Sequence, residues 1–200
     1  MPEHEQPIEA VNHWIRGRRT WKPENMDPQR EVPQALLDTM FENANWAPTH
    51  GLTEPWRFMV YRGDARARLA AGLQKLYSDH TPPGGFRPDK HAKLGRTPLQ
   101  APVVILICMH RQSAGKIPEI EEVAAVACAV QNMHLTASAA GLGAKWSSPP
   151  ICYDPAMNEF LGLAAEDRCL GLFYVGWPKQ GAAPPLSPRR PASEKVEEMA

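Results

Sequence analysis

Apolar positions first recur at helical spacing from about Ile8 to Arg16, where Ile8, Val11 and Ile15 share one face and Pro7 suits the first turn. A second helix is expected from Pro33 to about Trp46, with Leu36, Leu37, Met40, Phe41 and Ala44 as a wide apolar stripe. Pro48 and Pro55 break that pattern, and Gly51 between them permits unusual backbone angles. Arg57 to Tyr61 reads as a short strand. Asp64 then caps a third helix reaching about Tyr77, with Leu69, Leu73, Leu76 and Tyr77 turned inward.

Periodicity weakens over 78–98, which holds Pro82-Pro83-Gly84-Gly85 and many charges; a mobile, lid-like insertion with a short helix near Lys90 to Leu94 is expected. Val103 to Cys108 is a continuous β-branched run, hence a strand buried on both faces. Pro118 opens the longest helix, to about Gly141, and Glu119, Glu121 and Glu122 in its first turn complement the helix dipole. Its interior is nearly all small or apolar, as in a central helix packed closely on both sides, in a core or a dimer interface. Gly141-Leu142-Gly143 ends it, and Lys145 to Pro150 reads as a polar loop. Asp154-Pro155 starts another helix to about Leu163, and Cys169 to Val175 is a second buried strand. The chain thus divides into an N-terminal tail over 1–7, one domain over 8–180, and a C-terminal extension over 181–200. That extension, rich in Pro, Ala, Ser and charge, is expected to be loose or draped over a partner.

Charge narrows the function. Lys plus Arg equals Asp plus Glu at 22 each, which argues against a general binder of nucleic acid or anionic membrane while leaving room for a local basic site. The longest apolar run, Pro102 to Met109, is too short to span a bilayer, and the polar, acidic start Met1 to Glu5 is no signal peptide. Four cysteines without a C-x-x-C pair read as free, mostly buried thiols of a reducing compartment, so a cytoplasmic location is expected.

Candidate chemistry centres on Arg18-Arg19-Thr20-Trp21-Lys22. Two guanidiniums, a hydroxyl and an ammonium suit a phosphate with a polar tail, although read alone the stretch fits a solvated basic turn better. Gly141-Leu142-Gly143 is not a dinucleotide fingerprint: it ends a helix, and Trp146 stands where the third glycine would be. Phosphate-loop, nucleophile-elbow and zinc-helix motifs are absent, and the seven histidines lack metal-ligand spacing, so no metal is expected. With no catalytic set of side chains, the chain either borrows its chemistry from a cofactor or is a binding module.

Four stretches, in order across about residues 8 to 190, carry a likeness. They are Arg18-Arg19-Thr20 with Lys22; Ala47-Pro48-Thr49-His50 leading to Glu54-Pro55-Trp56-Arg57-Phe58; Ala140-Gly141-Leu142-Gly143 with Trp146; and Leu170 to Pro178 with Arg189-Arg190 downstream. On these the chain resembles the FMN-dependent nitroreductase family. The resemblance implies an α+β fold, with a mixed central β-sheet surrounded by helices and a long central helix, in an intertwined homodimer with two flavin sites at the interface. It implies that Arg18, Arg19, Thr20, Arg189 and Arg190 hold the phosphate and ribityl chain and that Lys22 approaches the pyrimidine end of the ring. Pro48, Thr49, His50 and Gly51 would line the flavin from the partner chain, and Trp146, Ser147 and Ser148 would border the ring. The activity implied is electron transfer from NAD(P)H through flavin N5 to a nitroaromatic, quinone or enone, by a ping-pong sequence. Relatives carry Asn at the place of Leu52, Gln at Glu54 and, in close relatives, Arg at Ser147, so the ring contacts differ here. A flavin-binding or delivery protein, or a non-catalytic dimeric interaction domain, would share the same motifs.

Overall fold

The two apolar runs dictate the centre of the molecule. In the computed structural model, which describes residues 7–199, β2 (Val103–Met109) and β4 (Arg168–Gly176) pair antiparallel, with their interiors buried on both faces. Of the tail expected over 1–7, only Pro7 lies within the described residues. β1 (Trp56–Arg62) borders β2 and β3 (Gly143–Ser147) borders β4, giving the order β1-β2-β4-β3. The expected mixed sheet is antiparallel along all its strands, and its parallel component is an isolated bridge between Thr20 and Ala144. The topology explains this. β3 runs in the direction of β2, as a single crossover helix requires, but β4 inserts between them.

A doubly buried sheet needs cover on both sides. One face packs α2 (Gln34–Asn45) and the central helix α5 (Glu119–Ala139), through Leu37, Met40, Val126, Met133 and Phe173. The other packs α3 (Ala65–His80) and the short α6 (Pro155–Leu161), through Leu69, Leu73, Leu106, Met157 and Tyr174. The first helix, α1 (Pro7–Gly17), buries none of its own residues. Among the described residues no helix is long and apolar enough to cross a membrane.

Three expectations change. The region 78–98 is a structured helical hairpin instead of a loose insertion: α3 continues to His80, and α4 (Pro88–Arg96) folds back along it. Gln74 Nε2 donates to the His91 carbonyl at 3.1 Å, and Tyr77 packs on Phe86. Lys145 to Ser147 belongs to β3 rather than to a polar loop; Trp146 turns toward the α5 side and Lys145 toward the opposite face, as the pleat demands. Asp64 sits at the start of α3 with helical angles and caps with no side-chain bond, whereas the Asp154 carboxylate does accept from Ala156 N at 2.9 Å.

The β2–β4 register slips between Ile107 and Cys108, so Leu170 is an extra residue on β4. Its carbonyl accepts from Trp146 Nε1 at 3.0 Å and from Ser148 Oγ at 2.7 Å, which ties the end of β3 to the bulge. Gly171, at φ +132, makes the approach possible. A Cβ there would lie 2.5 Å from Ser148 Oγ and 2.7 Å from the Ser147 carbonyl oxygen. Behind β3, His134 of α5 is buried edge-on against Phe173, with no hydrogen-bond partner for Nδ1. Burial, and then the Arg18 charge, lower its pKa to about 4.

Gly171→Ala is expected to lower stability by roughly 1–3 kcal/mol, through backbone strain and displacement of Ser148, measured as a shift in urea midpoint at constant slope. His134 makes the fold acid-sensitive in a defined window. Its folded pKa lies below the unfolded value of about 6.5, so the unfolded chain takes up the proton first. Stability is therefore full above about pH 6.5 and falls until about pH 4, with a loss of ~2 kcal/mol at pH 5. Urea unfolding at pH 7 and pH 5 should show His134→Leu losing about that much less than the wild type.

Candidate functional site

The basic pentapeptide leaves α1 and crosses the outer edge of the sheet. Trp21 N donates to the Ala144 carbonyl at 2.9 Å, and the Trp21 ring covers Gly143, where a Cβ would lie 2.8 Å from Cγ of the indole. Trp21 is thus the packing anchor of the segment. The chain is then held at its far end, Asp27 N donating to the Trp177 carbonyl at 2.8 Å and Lys179 N to the Asn25 carbonyl at 2.9 Å.

Anchored in this way, Arg18 stands half-buried beside Arg189 of the C-terminal extension. Burial lowers the Arg18 pKa, and the charges of Arg189 and Arg19 lower it further. Among the described residues Arg18 and Arg189 have no carboxylate at ion-pair distance. The buried, unpartnered imidazole of His134 lies under the same charge. This is a positive site without an internal counter-ion.

Its neighbours behave differently. Arg19 turns back on its own backbone, donating to the Arg16 and Arg18 carbonyls, and Arg190 faces Glu194 at 3.6 Å. Arg189 likewise donates to local acceptors, the Ser187 and Pro188 carbonyls and Ser187 Oγ, so of the four guanidiniums Arg18 is the one without a protein acceptor among the described residues. Thr20 is exposed at the bridge to Ala144. Lys22 is exposed and 3.6 Å from Glu24. Lys22 also approaches Lys145, whose pKa is lowered first by burial, then by Lys93 and Lys22. Trp146 is half-buried, with its indole nitrogen committed to Leu170, while Ser147 and Ser148 line a cavity of about 520 Å³.

The Pro48 loop lies elsewhere. Pro48, Thr49, His50 and Gly51 follow α2 at the opposite end of α5, where His50 Nδ1 bonds Glu121 and Gly51 faces Ile117. About 20 Å of helix separates Glu121 from His134. Within one chain, therefore, the structure joins Arg18, Thr20, Lys22, Trp146, Ser147, Ser148 and Arg189 along the β3 edge and leaves 48–51 remote. The remote loop is strained: Leu52 and Glu54 have φ of 53° and 44°, costing of order 1–3 kcal/mol each. Strain of this kind gathers at functional loops.

Sequence reasoning missed His134, Lys90, Lys93 and Lys145. Lys90 and Lys93 sit at i, i+3 on α4, a spacing that signals a shared face once the helix is recognised.

YfhC of Bacillus subtilis, provisionally named an NAD(P)H nitroreductase, is 27% identical over the whole of both chains. A nitroreductase-like family protein from Bacillus cereus superposes with a TM-score of 0.80 at 27% identity, covering 100% of this chain and 98% of the other. A protein from Desulfovibrio desulfuricans, provisionally named a nitroreductase and solved in complex with FMN, matches with a TM-score of 0.69 at 26% identity, covering 98% and 99%. The pattern that defines the nitroreductase family spans residues 15–177, from the end of α1 through all four strands, and the chain belongs to that family.

Proposed function

We propose that this chain is a homodimeric, FMN-dependent oxidoreductase that takes electrons from NAD(P)H and passes them to a small organic acceptor. The Arg18–Arg189 pair carries the reading. Two guanidiniums held together, one of them half-buried and neither neutralised within the described chain, suit a doubly charged phosphate. The names of YfhC and of the FMN-bound Desulfovibrio protein support the same donor and cofactor. Arg18 and Arg189 would hold the phosphate, and Thr20 the polar chain behind it. Lys22 would set a positive charge near the ring, which favours its acceptance of electrons, and Trp146, Ser147 and Ser148 would border it. When bound, the cofactor supplies the hydride and electron transfer, and the chain's residues bind, orient and shield. The buried thiols Cys108, Cys152 and Cys169 fit a reducing compartment, and the cytoplasm is the proposed location.

Dimerisation rests on three observations. The chain exposes 12281 Å², against about 9,400 Å² for a compact monomer of this mass. Ile8, Val11, Trp14 and Ile15 leave an apolar face of α1 open, and Trp46 and Leu52 around the Pro48 loop are 78% and 82% exposed. A second copy, covering such surface, would also bring its own Pro48, Thr49, His50 and Gly51 to the β3 edge that the first copy's loop does not reach.

Arg18→Ala should weaken FMN binding roughly ten- to hundredfold, the loss of a charge-assisted hydrogen bond of roughly 1.5–3 kcal/mol. Titrating FMN into stripped protein and following flavin fluorescence tests this; unchanged affinity would remove the pentapeptide from the phosphate. Sedimentation velocity should give twice the 22.2 kDa chain mass. A monomer that binds FMN with full affinity would refute the shared site.

A further inference from the structure

A cavity of about 520 Å³ lies beside Ser147 and Ser148, and the charge of its lining is one-sided. It opens between the α3–α4 hairpin and the strand end that leads into the turn at Pro150. Tyr77, Leu94 and Ile151 give it an apolar wall, and Lys90, Lys93 and Lys145 bring three ammonium groups to it. None of the three has a carboxylate within 4.0 Å among the described residues. The cavity's one carboxylate, Asp154, already caps α6 through Ala156 N and faces His80 at 3.7 Å.

The three lysines come from two separate elements. Lys90 and Lys93 lie one turn apart on α4, and Lys145 stands on β3 facing the same space. Like charges at i, i+3 on a helix destabilise it slightly, and bringing a third, half-buried one toward them adds repulsion. The pKa of Lys145 is lowered first by burial and then by Lys93 and Lys22, with Glu24 opposing. An anion in the cavity would relieve that repulsion.

We propose that this cavity is the acceptor subsite, and that it selects a planar conjugated acceptor carrying a carboxylate, held by Lys90, Lys93 and Lys145. The inference rests on the oxidoreductase reading above, because an acceptor must meet the redox group at contact distance. Ser147 and Ser148 belong both to this cavity and to the loop proposed to border the ring. The volume suits a one- or two-ring molecule. Tyr77, Leu94 and Ile151 would cover the conjugated body, while the lysines hold its charged end. The phosphate of NADPH that NADH lacks offers a similar anion, so the two sources must be told apart.

The experiment uses the FMN-loaded protein and two matched acceptors, 4-nitrobenzoate and neutral 4-nitrobenzamide, each with NADPH and with NADH. The wild type should favour the benzoate at least tenfold in kcat/KM, and raising the ionic strength should erode that preference. In the Lys90→Gln/Lys93→Gln double variant the preference should collapse at least tenfold, with the NADPH-to-NADH ratio and the bound FMN content unchanged. Both lysines are exposed, so the substitutions spare the core. Equal use of the two acceptors by the wild type overturns the proposal. So does a variant that alters only the NADPH-to-NADH ratio, which assigns the lysines to the donor, or one that loses FMN, which assigns them to the cofactor. Direct titration of 4-nitrobenzoate without any reductant, read by calorimetry, separates this inference from the reading beneath it. Charge-selective binding that the double variant loses upholds the subsite even where turnover fails, and absence of such binding refutes it.

Discussion

Everything in the candidate site hangs on the placement of one edge strand. β3 is five residues long and has a paired neighbour on one side only, β4. A short edge strand with a Gly start and a Lys in its middle has little intrinsic preference for its place. Two outside contacts fix it. At its beginning Trp21 lies over Gly143 and the chain at 20–21 bonds Ala144; at its end the Leu170 carbonyl takes both Trp146 Nε1 and Ser148 Oγ. The first contact positions the cationic segment, and the second positions the loop beside the cavity. The bulge that frees the Leu170 carbonyl, and the glycine that follows it, are therefore as much part of the site as any side chain that faces it.

A chain of zero net charge can still build a cationic site because charge is unevenly placed, and several carboxylates are used at the other end of α5. Glu119 pairs with Arg168, Glu121 with His50, and buried Glu122 with Arg111, while Asp167 faces His110 at 3.0 Å. The three glutamates cluster on the first turn of the helix, where its dipole favours them, and Asp167 lies just before β4. The opposite half of α5, toward His134 and β3, has no such acids to neutralise Arg18, Arg189 or the lysines. Gathering acids at one end of α5 leaves Arg18, Arg189, Lys90, Lys93 and Lys145 without a carboxylate at ion-pair distance among the described residues.

Much of this was legible in the sequence where burial is uniform or amphipathic. β2 and β4 follow from their unbroken apolar runs, and α2, α3 and α5 from their periodicity and flanking prolines. β3 was not legible. Lys145-Trp146-Ser147 looks polar because only alternate residues meet the core, and the pairing that makes it a strand comes from Leu172 to Val175, far along the chain. The hairpin over 78–98 was hidden because α4 is charged on most of its surface and presents little more than Leu94 to its neighbours. Within the basic stretches, composition could not tell Arg18 from Arg19, or Arg189 from Arg190. The difference lies in which backbone carbonyl or carboxylate each guanidinium meets, and that is decided by the turn each residue occupies.

The same reasoning explains why one chain looks incomplete. The Pro48 loop carries two left-handed non-glycine residues and a largely exposed Leu52, a costly conformation with no return inside its own chain. Its own protomer holds it in place through Thr49 Oγ1, which meets Thr53 Oγ1 and accepts from Glu54 N, and through the His50–Glu121 contact. The loop is thus presented outward by an internal frame, at the end of α5 where the carboxylates gather. The β3 edge is presented at the other end, where Arg18 and Arg189 meet no carboxylate at ion-pair distance among the described residues. A twofold arrangement that sets the loop of each copy against the β3 edge of the other would cover the apolar face of α1 and the exposed Leu52, and close the cationic site from the side that each chain leaves open.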